Sequence, residues 1–203
     1  FLAMEYIQGQ PLGEFVQAVD SSTRERLQLF VKICDAVNHA HQRGVIHRDL
    51  KPGNVMVKSN GQPSILDFGV ARATEPESSL STLQTHAGQL IGTLPYMSPE
   101  QAEGKSGSID GRTDVYALGA ILYWLLSEKT VFSGSASEIL KQILTMQPKP
   151  LSEVVEGIPR DIATICHKCI EKKRTDRYGT AVELSADLQR FLSDEPVLAR
   201  PVS

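Results

Sequence analysis

A mainly helical domain carrying one small β-hairpin is what this sequence predicts, and three observations carry the prediction. Apolar residues recur at helical spacing in several separate segments. A single Asn-Gly pair, Asn60-Gly61, sits between two short apolar runs and reads as a hairpin turn. The chain has 203 residues, 41% hydrophobic and 22% charged, which suits one substantial core in one domain.

The elements follow in order. Leu2 to Ile7 is a short apolar stretch that reads as the end of a strand, and Gly9, Pro11 and Gly13 after it read as a linker. Ser22-Thr23-Arg24-Glu25 fits a capping box. The helix it opens keeps Leu27, Phe30, Val31, Cys34, Val37 and Ala40 at helical spacing to about Gln42, with Gly44 as its stop. Val55-Met56-Val57 and Ser64-Ile65-Leu66 are the hairpin strands. Residues 70–97 carry scattered Ser, Thr, Gly and Pro without a period, so they form a long loop of the kind that carries function or is disordered. Asp114 starts a helix that is apolar nearly all round to Leu126, which places it at the domain's centre. Further helices are expected near Ala136 to Thr145, Ile162 to Glu171 and Ala181 to Leu192. Asp194 to Ser203 is a proline-bearing exit without regular period.

Composition removes several function classes. A net charge of −3 with no basic stripe argues against nucleic acid as a partner. No apolar run approaches a membrane span, and no signal peptide is visible. Three cysteines make no disulfide framework and suit a reducing compartment. Cys166-His167-Lys168-Cys169 spells C-x-x-C, but a second ligand pair is absent and both cysteines fall on the apolar face of a helix. Gly104-Lys105-Ser106 lacks the leading glycine of a nucleotide loop, since Pro99 stands in that position. His39 and His41 read as helix-end residues, because no carboxylate lies at metal-ligand spacing from them.

Three ordered motifs carry the chemistry. His47-Arg48-Asp49-Leu50-Lys51-Pro52-Gly53-Asn54 fits H-R-D-L-x-x-x-N at every fixed position, Asp67-Phe68-Gly69 follows, and Ser98-Pro99-Glu100 stands close to A-P-E. On these residues the chain resembles a eukaryotic-type serine/threonine protein kinase, with Leu50-Lys51-Pro52 matching the serine/threonine branch. Ser98-Pro99-Glu100-Gln101 and Gly9-Gln10-Pro11-Leu12 give it a bacterial flavour.

The resemblance implies ATP and Mg²⁺ as cofactors and the hydroxyl of a protein serine or threonine as acceptor. It implies Asp49 as catalytic base, Lys51 beside the transferring phosphate, and Asn54 and Asp67 as Mg²⁺ ligands. Met4, Glu5, Tyr6 and Ile7 take the place of the adenine-binding hinge, with Met4 guarding the deep pocket, and Met56 lies under the adenine. His47, Phe68 and Gly69 support the catalytic groups. Residues 70–97 become the activation loop, in which Thr82 and Thr85 are the expected phosphorylation sites and Arg48 the guanidinium that would answer them. Thr93 is expected to touch the catalytic loop or the incoming substrate. Asp114 anchors the catalytic loop, and Glu100 pairs with Arg177.

The fold implied is the C-terminal, large lobe of the α+β protein kinase fold, with residues 1–194 as a partial kinase domain and 195–203 as an exit linker. No G-x-G-x-x-G loop or V-A-I-K lysine precedes the hinge, and the chain opens with Phe1, so the expectation is a fragment whose small lobe lies upstream. The parent protein is then the active kinase, and the isolated chain nearly inactive. A homodimer that phosphorylates its own activation loops fits the same resemblance. So does a cytoplasmic kinase region, with room for a membrane anchor beyond Ser203. Two other readings stay open: a pseudokinase-like scaffold or docking module, and a small-molecule phosphotransferase.

Overall fold

The computed structural model describes residues 7–19, 21–68 and 92–199. In chain order they form β1 (Gln10–Pro11), α1 (Leu12–Val19), α2 (Thr23–His41), β2 (Val55–Val57), β3 (Pro63–Ile65), α3 (Pro99–Ala102), α4 (Gly111–Ser127), α5 (Ala136–Thr145), α6 (Arg160–Cys169) and α7 (Ala181–Leu192). Short 3₁₀ turns join them at Pro52–Asn54, Leu94–Tyr96, Ser106–Ser108, Leu151–Glu153 and Arg174–Asp176.

α4 is the centre. Val115, Leu118, Ile121 and Leu122 are fully enclosed, and the helix packs against α2, α6 and α7. Its start differs from the expected one: Asp110 is the N-cap, accepting from the Arg112 N–H at 2.9 Å. Asp114 is thereby freed from its own helix end and points into the site described below. Gly119 is where α4 meets α6, since a Cβ there would lie 2.3 Å from the Cys169 Cβ. Hydrogen would be the one side chain that fits.

α2 forms as its capping box predicts. The Ser22 hydroxyl accepts from the Glu25 N–H at 3.3 Å while Glu25 Oε2 accepts from the Ser22 N–H at 2.9 Å. Leu27, Phe30, Val31, Cys34 and Val37 are all buried, and Gly44, at φ 75°, follows the helix end. Its outer face packs against α7.

The hairpin supplies the middle strand and one edge strand of a three-stranded antiparallel sheet of order β1-β2-β3. Val55 opposes Ile65, Met56 opposes Ser64 and Val57 opposes Pro63, one residue ahead of the expected second strand. Gly61, at φ 73°, makes the turn that Asn60-Gly61 signalled. The third strand and α1 occupy the stretch expected to be a linker. Pro11 lacks an N–H and sits on the sheet's edge, where none is needed. Gly9 lies so close to β2 that a Cβ would stand 2.7 Å from the Val57 carbonyl oxygen. Leu12 and Val16, one turn apart, then bury themselves and hold α1 against the core.

After α7 the chain leaves regular structure but stays attached. Asp187 is buried and accepts from the Tyr178 hydroxyl at 2.6 Å, the Leu198 N–H at 2.5 Å and the Ala199 N–H at 2.8 Å. Among the described residues no helix is long and apolar enough to cross a membrane.

Candidate active site

The segment between α2 and β2 is built around one carboxylate from α4. Asp114 is buried and accepts three donors: the His47 N–H at 2.8 Å, the Arg48 N–H at 2.9 Å and the His41 Nε2–H at 2.7 Å. Two consecutive amides on one carboxylate force the backbone to turn sharply. Arg48 accordingly sits at φ 67°, a left-handed conformation that a side chain other than glycine adopts at a cost of about 1–3 kcal/mol. His47 lies beneath. Its Nδ1 accepts from the Asp49 N–H at 3.2 Å and its Nε2 donates to the Leu66 carbonyl at 2.7 Å, so the ring is neutral with its proton on Nε2. The Phe68 ring stacks beside it at 4.9 Å between centroids.

On this base four polar side chains meet. Lys51 Nζ donates to Asp49 Oδ2 at 3.1 Å and to Thr93 Oγ1 at 2.7 Å. Asn54 Nδ2 donates to the Asp49 carbonyl at 2.8 Å and to Asp49 Oδ2 at 3.2 Å. Because the amide nitrogen of Asn54 is turned toward Asp49, its oxygen is left as an acceptor. Asp67 follows the sheet at φ 54° with its side chain exposed. Its neighbours tie it to the same loop: the Leu66 N–H donates to the Asn54 carbonyl at 2.8 Å, and Phe68 packs on His47.

The donor set suits a hard cation. One amide oxygen and one carboxylate are oxygen ligands of the kind magnesium takes when phosphates and water complete its shell. Among the described residues no cluster of three or more His, Cys, Asp or Glu forms a cage that would hold a metal by itself.

The other predicted residues fall as follows. Met56 lies in the middle strand, facing away from the buried Val55 and Val57. Ile7 borders a groove of about 670 Å³ with Gly9, Phe15, Val57 and Lys58. Met4, Glu5, Tyr6, Gly69, Thr82 and Thr85 lie outside the described residues. Glu100 and Arg177 are both buried and joined by two bonds of 2.9 Å, while Thr113 Oγ1 donates to Glu100 at 2.8 Å. Burial pushes the Glu100 carboxyl up, and the bonds and charge of Arg177 more than offset it, leaving the group below its usual range.

Two contributors escaped the sequence reading. His41 closes α2 as expected, and its ring also meets Asp114, a residue 73 positions away. Gln101 donates from Nε2 to the Arg48 carbonyl at 2.7 Å. A signal for it did exist, since Ser98-Pro99-Glu100-Gln101 has the S-x-x-Q form of a capping box.

With this geometry in place, comparison with known proteins gives the class. The chain belongs to the protein kinase domain family, whose model matches residues 1–188. More particularly, it is similar to bacterial serine/threonine kinases. It is 39% identical over 198 residues to serine/threonine-protein kinase PknB of Mycobacterium tuberculosis (strain ATCC 25618 / H37Rv), covering 97% of this chain and 31% of that protein. It is 36% identical to a probable serine/threonine-protein kinase PknB of Bifidobacterium longum, covering 95% of this chain and 28% of the relative. A probable serine/threonine-protein kinase of Streptomyces coelicolor, SCO3848, is 36% identical over 97% of the chain and 29% of its own length. The chain thus spans about a third of the length of these curated relatives.

Proposed function

We propose that the protein transfers the γ-phosphoryl group of ATP to serine or threonine hydroxyls of proteins, and that this chain supplies the hinge and large lobe. The observation that carries the reading is the junction of Asp49, Lys51 and Asn54, with Asp67 held beside it through Leu66 and His47. Magnesium-bound ATP supplies the phosphoryl donor and the charge neutralisation, and Asn54 and Asp67 would hold the metal.

Asp49 receives the hydroxyl proton and keeps that oxygen in line, as the new O–P bond forms and the bond to the departing diphosphate breaks. Lys51 bridges Asp49 and Thr93, and its charge would meet the transferring phosphate. Thr93 belongs to the shelf that an acceptor peptide would occupy. Arg48, next to the base in sequence, would answer a phosphorylated threonine, and Met56 would lie under the adenine. The names of the relatives support the acceptor class, and a scaffold would gain nothing from the bonded Asp49–Lys51–Asn54 set.

The test is phosphotransfer from labelled ATP to casein by the full-length protein. Asp49→Asn should lower turnover by about 100-fold or more while nucleotide binding is kept. Wild-type turnover in that variant would remove Asp49 as the base.

A further inference from the structure

From the contacts of Gln101 we infer that this side chain is a positioning residue for phosphotransfer, coupling the acceptor shelf to the catalytic loop through the Arg48–Asp49 peptide. The inference rests on the kinase reading above and adds a residue to it.

Gln101 makes two kinds of bond at once. Its Oε1 accepts from both the Ser98 N–H and the Ser98 hydroxyl, each at 3.1 Å. Its Nε2 donates to the Arg48 carbonyl at 2.7 Å. A backbone donor on one side and a backbone carbonyl on the other allow only one orientation of the amide. Ser98 is fully buried, so its N–H needs that acceptor.

The far end of the bridge is a strained point of the site. Arg48 sits at φ 67° and is clamped from both directions, with its N–H on Asp114 and its carbonyl on Gln101. The next residue is Asp49. Rotation of the Arg48–Asp49 peptide would swing the Asp49 side chain away from Lys51 and Asn54. Gln101 also borders the small cavity, about 10 Å³ and so the size of one water, that Arg48, Asp49, Thr93 and Asp114 share. The shelf carrying Thr93 and Ser98 therefore reaches the backbone of the base through the Gln101 amide, beside the side-chain link from Thr93 through Lys51 to Asp49.

Two substitutions separate this role from helix capping. Gln101→Glu keeps an acceptor for Ser98, and glutamate is itself a capping-box residue, but it has no donor for the Arg48 carbonyl. Gln101→Lys keeps a donor and loses the acceptor. In the full-length protein, with casein as acceptor, Gln101→Glu should lower kcat about ten-fold or more, with KM for ATP and the unfolding temperature near wild type. Gln101→Lys should lower the unfolding temperature and, assayed below it, keep kcat within about three-fold of wild type. Unchanged kcat in Gln101→Glu overturns the inference alone, and so does loss of turnover in both variants in proportion to lost stability. A wild-type protein without phosphotransfer overturns the kinase reading and this inference with it.

Discussion

Arg177 uses every donor it has. Nε donates to the Glu171 carbonyl, one terminal nitrogen to Glu100 and the Arg112 carbonyl, and the other to Glu100 and the Lys172 carbonyl. Removing it would leave a buried carboxylate with the Thr113 hydroxyl but no counter-charge and take a donor from three carbonyls, so Arg177→Ala should destabilise the fold by about 3–5 kcal/mol in denaturant unfolding. Lysine has three donors on a point charge and should rescue little of that. The same pair sets a pH dependence. The folded Glu100 carboxyl titrates below its ordinary value of 4.5, so its contribution is complete above that value and is lost as pH falls through the folded pKa. The stability gap between wild type and Glu100→Gln should therefore shrink below about pH 4.5, and a gap that grows there would contradict the pairing. What the residues alone made legible at this scale depended on separation along the chain, and Glu100–Arg177, 77 positions apart, was expected only from the family resemblance. Asp49, Lys51 and Asn54 lie within six residues and could be read together, whereas His41–Asp114 and Gln101–Arg48 are separated by 73 and 53 positions. Only packing brings those partners together.

Among the elements, the long amphipathic and all-apolar helices were plain because their periodicity is their cause of burial. β1 and α1 were not. Gly9, Pro11 and Gly13 carry the composition of a linker, but here Gly9 permits backbone contact with Val57, where a Cβ would stand 2.7 Å from the carbonyl oxygen. That close approach exists only after folding. The start of α4 slipped for a related reason: Asp110 and Asp114 are both good caps in sequence, and the carboxylate at 114 is drawn to His47 and Arg48 instead. α4 meets α6 closely at Gly119. Gly119→Ala places a methyl group 2.3 Å from Cys169 Cβ and 2.8 Å from Ile170 Cγ2. Thermal unfolding should report a loss of about 1–3 kcal/mol, against the gain that alanine ordinarily brings inside a helix. An unchanged or raised midpoint would show that the two helices can separate at no cost.

For the whole molecule, one buried helix explains both stability and chemistry. α4 fills the core with its apolar sides and sends Asp114 to set the backbone on which Asp49 stands. The sheet does the complementary task, delivering Asp67 from β3 while the Leu66–Asn54 bond keeps its strand against the loop. In the proposed function, residues from α2, the loop after it, the sheet and α4 would together seat a metal-bound nucleotide. The most direct test of that seat is Mn²⁺–ATP binding to the full-length protein, followed by electron paramagnetic resonance. Asn54→Ala and Asp67→Ala should each weaken binding of the Mn²⁺–nucleotide complex by about ten-fold or more. Wild-type affinity in either variant would contradict the shared metal site on which the phosphotransfer account stands.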